Sequence, residues 1–295
     1  MITGILLYMM TLNPCSTLPY YPEPVHRVQV NNHQLAYYES GAGSDTMLLV
    51  HGLGSNLSFW QYLIPYLASS AHIIAVDLPG YGLSSKEDVS GSMQDFAEIL
   101  IAFMDTLKLK RVVLVGHSMG GQIAMTLALD HPERVKRLVL LAPAGIETFT
   151  PQEAQQIKAI FTPEAIAHAT PEMIARNVAL NFANYEPDRF GWIVEQRLAL
   201  AQCPDFSAYA RANARSVQGM LDEPVADRLS RLSLPTRVLW GDSDHLIPHP
   251  FFHPAWDRQE KTRELLPHAA LRIIQGAGHL LYVEKPEEVA QAMLD

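Results

Sequence analysis

Apolar positions along this chain come in short unbroken runs. Met47-Leu48-Leu49-Val50, Ile73-Ile74-Ala75-Val76, Val112-Val113-Leu114-Val115 and Leu138-Val139-Leu140-Leu141 are four of them. The first three end at His51-Gly52, at Asp77-Leu78-Pro79-Gly80 and at Gly116. Runs of this length bounded by glycine or proline predict strands buried on both faces. Segments of helical period lie between them, at 59–67, 93–107 and 123–129. Residues 25–30 and 34–40 predict a hairpin that turns at Asn31-Asn32. The alternation predicts an α/β fold, with a mostly parallel central sheet and helices on both faces.

From about 145 to 227 the alternation stops. No strand pattern is apparent there, and Ala, Gln, Glu and Arg interleave with Met, Ile, Phe and Trp. Strands return at Arg237-Val238-Leu239-Trp240 and Leu271-Arg272-Ile273-Ile274, and a last helix follows Pro286. The middle stretch reads as a helical cap inserted after a strand. Such an insertion lies over the carboxyl edge of the sheet, where open α/β folds bind ligands. The expected division is a tail over 1–24, core over 25–144, cap over 145–231 and core again over 232–295.

Composition narrows the function classes. The chain has 295 residues, 48% apolar, enough for a sizeable core. The net charge of -9 is scattered, and without a basic stripe nucleic acid is set aside as a partner. Cys15 and Cys203 are far apart and follow no metal-ligand spacing, so they read as two free thiols. The opening MITGILLYMMTL is apolar and uncharged, but too short to span a bilayer as a helix. It lacks the positive start of a secretory signal, since the first basic residue is Arg27. Leu12-Asn13-Pro14-Cys15 matches a lipoprotein attachment site only loosely, with Pro14 where a small residue is expected. The segment therefore reads as a disordered tail, with Met9 and Met10 as alternative starts. The expected location is cytoplasmic, with export or membrane association through the apolar N-terminus as the alternative. Oligomeric state has no signature.

The strongest chemical signal is Gly116-His117-Ser118-Met119-Gly120, a G-x-S-x-G between a buried strand and a helix. Its glycines make room for a tight turn that carries a serine, and the helix start aims N–H groups at that site. Serine is a weak nucleophile until a base takes its proton, and histidine is the residue that titrates near neutral pH. Of twelve histidines, His279 stands out, because Gly278-His279 directly follows the last apolar strand. His51 also ends a strand and reads as bracing its own loop. His117 adjoins Ser118, but neighbours on a tight turn point apart. His245, His249 and His253 recur every four residues, yet Pro248, Pro250 and Pro254 forbid the helix that a metal face would need. No metal or cofactor is expected. Trp240-Gly241-Asp242-Ser243-Asp244 offers two carboxylates to orient the base. The oxyanion formed by attack on a carbonyl needs preorganised donors, for which the backbone amides of Met119 and of Leu53, in His51-Gly52-Leu53-Gly54, are the candidates.

These motifs, with Asp77-Leu78-Pro79-Gly80-Tyr81-Gly82, resemble the α/β-hydrolase fold superfamily in its capped branch, over about 25–294. The resemblance implies a triad in the chain order Ser118, Asp244, His279. It favours Asp244 over Asp242 as the acid and gives Asp77 a structural role in holding the loop before Tyr81. It sets aside dehalogenase-like and epoxide-hydrolase-like relatives, which place an aspartate where this chain has Ser118. The segment from 248 to 266 is longer than such connections usually are.

The expected activity is hydrolysis of a small-molecule carboxylic ester, in the manner of a carboxylesterase. Two alternatives stay open: a C–C bond hydrolase of ring-cleavage diketones, and a hydrolase-like receptor for a small ligand. Specificity should reside in the cap, among Phe149, Phe161, Phe182, Tyr185, Phe190, Trp192, Phe206, Tyr209, Met173 and Met220, most of which pack the cap onto the core. Arg176, Arg189, Arg197, Arg211 and Arg215 read as solvated, though any of them is able to meet a substrate carboxylate.

Overall fold

The computed structural model describes residues 17–86 and 89–295. Eight strands form one sheet in the order β1-β2-β4-β3-β5-β6-β7-β8. They are β1 (Val25–Val30), β2 (His33–Ser40), β3 (Thr46–Val50), β4 (His72–Val76), β5 (Val112–His117), β6 (Val135–Leu141), β7 (Thr236–Gly241) and β8 (Ala270–Ile274). β1 and β2 pair antiparallel, as do β2 and β4, and every later pair is parallel. The hairpin turns at Asn31, whose φ is 51°. All six residues of β5 are buried, which is why its sequence is an apolar run without alternation. The chain order reverses on either side of β3, so the loops after β3 and β5 open a crevice at the carboxyl edge.

Helix α1 (Met93–Thr106) starts where the Ser92 side chain accepts the Asp95 amide. It buries Met93, Phe96, Ala97, Leu100, Phe103 and Met104, a single stripe at helical spacing. Helix α2 (Met119–Asp130) has no polar face over its first ten residues, all of which are buried. Its Gln122 Nε2 donates to Met220 O at 3.0 Å and Glu223 O at 2.9 Å, so α2 is roofed on the side away from the sheet.

That roof is the set of five helices between β6 and β7: α3 (Pro151–Ile160), α4 (Pro163–Ala167), α5 (Pro171–Ala179), α6 (Pro187–Ala201) and α7 (Phe206–Asp222). Thr150, Thr162 and Thr170 each cap a helix whose first residue is proline. Thr-Pro at three helix starts is a signal that a reading by composition passes over. In the second half, α8 (Arg258–Leu265) occupies the long connection before β8, and α9 (Pro286–Leu294) closes the chain. Among the described residues no helix is long and apolar enough to cross a membrane.

Residues 17–24 pack against the core: Leu18 is buried, Pro19 O accepts Gln196 Nε2 at 2.7 Å, and Tyr21 Oη donates to Asp77 Oδ2 at 3.0 Å. Cys203 is disulfide-bonded, against the free-thiol reading. Cys15 and the rest of the apolar N-terminus lie outside the described residues.

Candidate active site

Ser118 sits between β5 and α2 with φ 52° and ψ -119°, a strained backbone for a residue with a side chain. Its neighbours over-determine that geometry. Ser118 N donates to Leu141 O at 3.0 Å, and Ser118 O accepts the amides of Gly121 at 2.8 Å and Ala144 at 3.0 Å. A Cβ on Gly116 would fall 2.3 Å from Gly120 O, and one on Gly120 would fall 2.3 Å from Val50 O. Only glycine at both positions lets α2 start this close to β3 and β5. Ser118 itself is partly exposed. Met119 is the first residue of α2, where a backbone amide has no intrahelical acceptor.

The loop after β3 runs against this turn. A Cβ on Gly52 would lie 3.0 Å from Ser118 Cβ, so Leu53 begins beside the serine. His51 braces the loop: Nδ1 donates to Gly52 O at 2.8 Å, and Nε2 accepts the Leu78 amide at 3.1 Å. Both ring nitrogens are satisfied only in the neutral form, and burial lowers the imidazole pKa to about 4. Asp77 holds the next loop. Its carboxylate accepts the amides of Leu57 and Leu83, each at 2.7 Å.

Asp244 and His279 come together from the loops after β7 and β8. His279 Nδ1 donates to Asp244 Oδ2 at 2.8 Å, and Asp244 Oδ1 accepts the amides of Leu246 at 2.8 Å and Ile247 at 3.1 Å. Burial opposes ionisation of Asp244, but the His279 ring and the two amides outweigh it and hold its carboxyl below the ordinary range. A carboxylate that accepts at Nδ1 leaves the lone pair on Nε2, the form a general base needs. Asp242 points elsewhere: its Oδ1 accepts Ser243 Oγ and the Gly276 amide, both at 2.9 Å. His117 is not turned away from the site. Its Nε2 donates to His279 O at 3.0 Å, and the two rings lie 4.8 Å apart. Adjacent side chains on the turn do diverge, but the one that leaves Ser118 finds the backbone of His279.

Several supporting residues carry no local sequence signal. Arg258 Nη1 donates to the carbonyls of Gly241 and Asp242, and Nη2 to those of Asp244 and Ile247, at 2.8–3.1 Å. The long 248–266 connection thus returns a guanidinium that fastens the Asp244 loop. His249 and His253 turn to Glu147, whose Oε1 accepts the His249 amide at 2.8 Å and pairs with His253 Nδ1 at 2.5 Å. Arg197 departs from the solvated reading. It is partly buried, Nη1 donates to Asn177 Oδ1 at 2.6 Å, and Nε has no partner among the described residues. A Cβ on Gly54 would meet Arg197 Nη2 at 3.4 Å and both Tyr209 Oη and Asn213 Oδ1 at 3.7 Å. Of the apolar cap candidates, Phe182, Phe190, Trp192 and Tyr209 are buried, whereas Phe161 and Met173 face outward.

The family model described as alpha/beta hydrolase fold matches residues 45–286, which includes all of these loops. The chain belongs to the alpha/beta hydrolase fold family. Within this family it is similar to the dihydrolipoyllysine-residue acetyltransferase component of the acetoin cleaving system of Pseudomonas putida, at 29% identity over 92% of this chain and 69% of that one. It is similar to a 2-hydroxy-6-oxononadienedioate/2-hydroxy-6-oxononatrienedioate hydrolase of Paraburkholderia phymatum, at 29% identity over 88% of this chain and 89% of the other. Among solved structures, a thermophilic esterase from Thermogutta terrifontis superposes with a TM-score of 0.76 at 25% identity, covering 92% of this chain and 97% of that one.

Proposed function

We propose that this alpha/beta hydrolase is a serine hydrolase that cleaves carboxylic esters of small or medium apolar substrates through an acyl-enzyme on Ser118. The observation that carries the reading is the convergence at one sheet edge of a strained serine turn and a buried His279–Asp244 pair, tied to each other through His117. The likeness to an esterase supports it. The helical insert acts as the cap that shapes the substrate pocket.

The chemistry follows in two acyl transfers. Ser118 Oγ attacks the ester carbonyl carbon while His279 Nε2 takes its proton. The tetrahedral oxyanion is held by the backbone amides of Leu53 and Met119, and one such donor is worth roughly 3 kcal/mol in comparable enzymes. His279 then passes its proton to the leaving oxygen, and the alcohol departs. Water gives a proton to the same nitrogen and attacks the acyl carbon. Collapse of that intermediate returns the proton to Ser118 and releases the acid. Asp244 keeps His279 in the required tautomer and stabilises the imidazolium. The scheme calls for neither metal nor cofactor.

Arg197 favours a second reading. A guanidinium whose buried Nε has no partner among the described residues, close to Tyr209 and Asn213 over the Gly54 loop, suits a substrate that carries a carboxylate. The Paraburkholderia relative is a hydrolase of such a dioate, and on this reading the same three residues would serve C–C bond cleavage. Turnover of p-nitrophenyl esters of graded acyl length, beside esters bearing a terminal carboxylate, separates the two. The ester reading expects neutral esters to turn over with Arg197→Met near wild type. A preference for carboxylate substrates that Arg197→Met abolishes selects the second. Stable acylation after a single turnover with every substrate would replace both with a ligand receptor.

A further inference from the structure

Three consecutive residues around His279 are each held by a group from another part of the fold. His279 O is held by His117, and Leu280 N donates to Asn181 O at 3.0 Å, in the loop after α5. Gly278 N donates to Glu284 Oε2 at 2.6 Å. The other oxygen of the same carboxylate, Oε1, accepts Ala183 N at 3.0 Å, and the Asn184 amide also bonds to the carboxylate. Glu284 is buried, in the single helical turn Leu281–Glu284, and its backbone carbonyl accepts Arg189 Nη2 at 2.9 Å from α6. The two segments leave no slack. A Cβ on Gly278 would fall 2.6 Å from Ala183 N and 2.6 Å from Phe182 C.

We infer that Glu284 is a positioning residue for the general base, and that its carboxylate joins the backbone beside His279 to the 181–184 loop of the insert. The inference rests on the reading of His279 as base. A carboxylate suits this place because it accepts from both sides at once, and a charged acceptor makes shorter, stronger bonds to amides than a neutral one. Glutamine would turn its NH2 towards one of the amides, a donor facing a donor. The insert is then more than a wall of the pocket. The position of the catalytic imidazole relative to Ser118 depends on where the 181–184 loop lies, so substrate contacts in the insert are coupled to the base.

The test compares Glu284→Gln, Gly278→Ala and His279→Ala with wild type. Gly278→Ala wedges the same two segments apart and leaves the carboxylate in place. The measurements are p-nitrophenyl acetate kinetics, thermal melting, and the far-downfield proton resonance of the His279–Asp244 hydrogen bond. The expected result is a folded Glu284→Gln enzyme whose kcat falls roughly 10- to 100-fold, the scale of a misplaced catalytic group. The downfield resonance should shift or broaden, and Gly278→Ala should reproduce both changes. A purely structural role would lower the melting temperature and leave kcat and the resonance alone. Wild-type kcat with an unmoved resonance in either folded variant overturns the inference. Failure of both variants to fold overturns it too, because Glu284 would then be a folding element. If His279→Ala turns over normally, the functional reading itself fails; if His279→Ala is inactive and Glu284→Gln is normal, only the role of Glu284 does.

Discussion

Replacing Asp244 by asparagine preserves the shape of a fully buried side chain and changes one atom's hydrogen-bonding sense. The Oδ1 that accepts the Leu246 and Ile247 amides is retained as the amide oxygen, so the loop keeps both contacts. The atom facing His279 Nδ1 at 2.8 Å becomes an NH2 donor. Nδ1 must then accept, the ring proton moves to Nε2, and that nitrogen no longer takes a proton from Ser118. A substitution of this kind in a well-studied serine protease leaves the geometry intact and lowers kcat about 10⁴-fold. At about 1.36 kcal/mol per factor of ten, that is about 5 kcal/mol of lost transition-state stabilisation. Asp242→Asn is the matched control. Asp242 is exposed and binds Ser243 Oγ and the Gly276 amide through one oxygen that asparagine also supplies, so its effect should stay within about 0.5 kcal/mol. The assay is kcat/KM on a p-nitrophenyl ester, with melting curves to show that both variants are folded. A severe loss in Asp242→Asn with near-normal Asp244→Asn would refute the assignment of the acid.

Two further predictions concern the scaffold. The His51 pKa falls from an ordinary 6.5 to about 4 on folding, so the unfolded chain takes up this proton first as pH drops. Its stabilising contribution is complete above pH 6.5 and declines towards pH 4, by about 3 kcal/mol. The stability gap between wild type and the non-titrating His51→Asn should narrow by about that amount between pH 7 and pH 4 in denaturant titrations, and a constant gap would contradict the buried-neutral assignment. Gly120→Ala should destabilise by at least about 1–3 kcal/mol, because its Cβ would press on the carbonyls of Val50 and His51. Unaltered melting of that variant would show that α2 can move off β3.

The sheet was largely legible because its buried strands are apolar on both faces. The runs at 47–50, 73–76, 112–115, 138–141, 237–240 and 271–274 all lie inside observed strands, which extend them by a residue or more. The helical stretch between β6 and β7 was legible as an interruption, but its division into five helices was not, because the Thr-Pro starts are local cues that composition averages out. At the site, the serine turn declares itself through glycines that sterics require. The choice between Asp242 and Asp244 depended on resemblance, since both occupy the same loop and only the fold turns one of them to His279. Partnerships across long chain separations were beyond reach. Glu284 with Ala183, Arg258 with the carbonyls after β7, Arg197 over Gly54, and Tyr21 with Asp77 follow from tertiary packing and leave no period or spacing in the chain. The packing of residues 17–24 leaves no such trace either, because their anchors are single contacts to residues far along the chain.

Everything in the proposed reaction passes through acylation of Ser118. That step is tested most directly by reacting the protein with a fluorophosphonate, mapping the adduct by mass spectrometry, and repeating the reaction and an ester assay on Ser118→Ala. The expected result is one adduct per chain, on Ser118, with neither adduct nor turnover in the folded variant. Labelling at another residue, or near-normal turnover by Ser118→Ala, would contradict it.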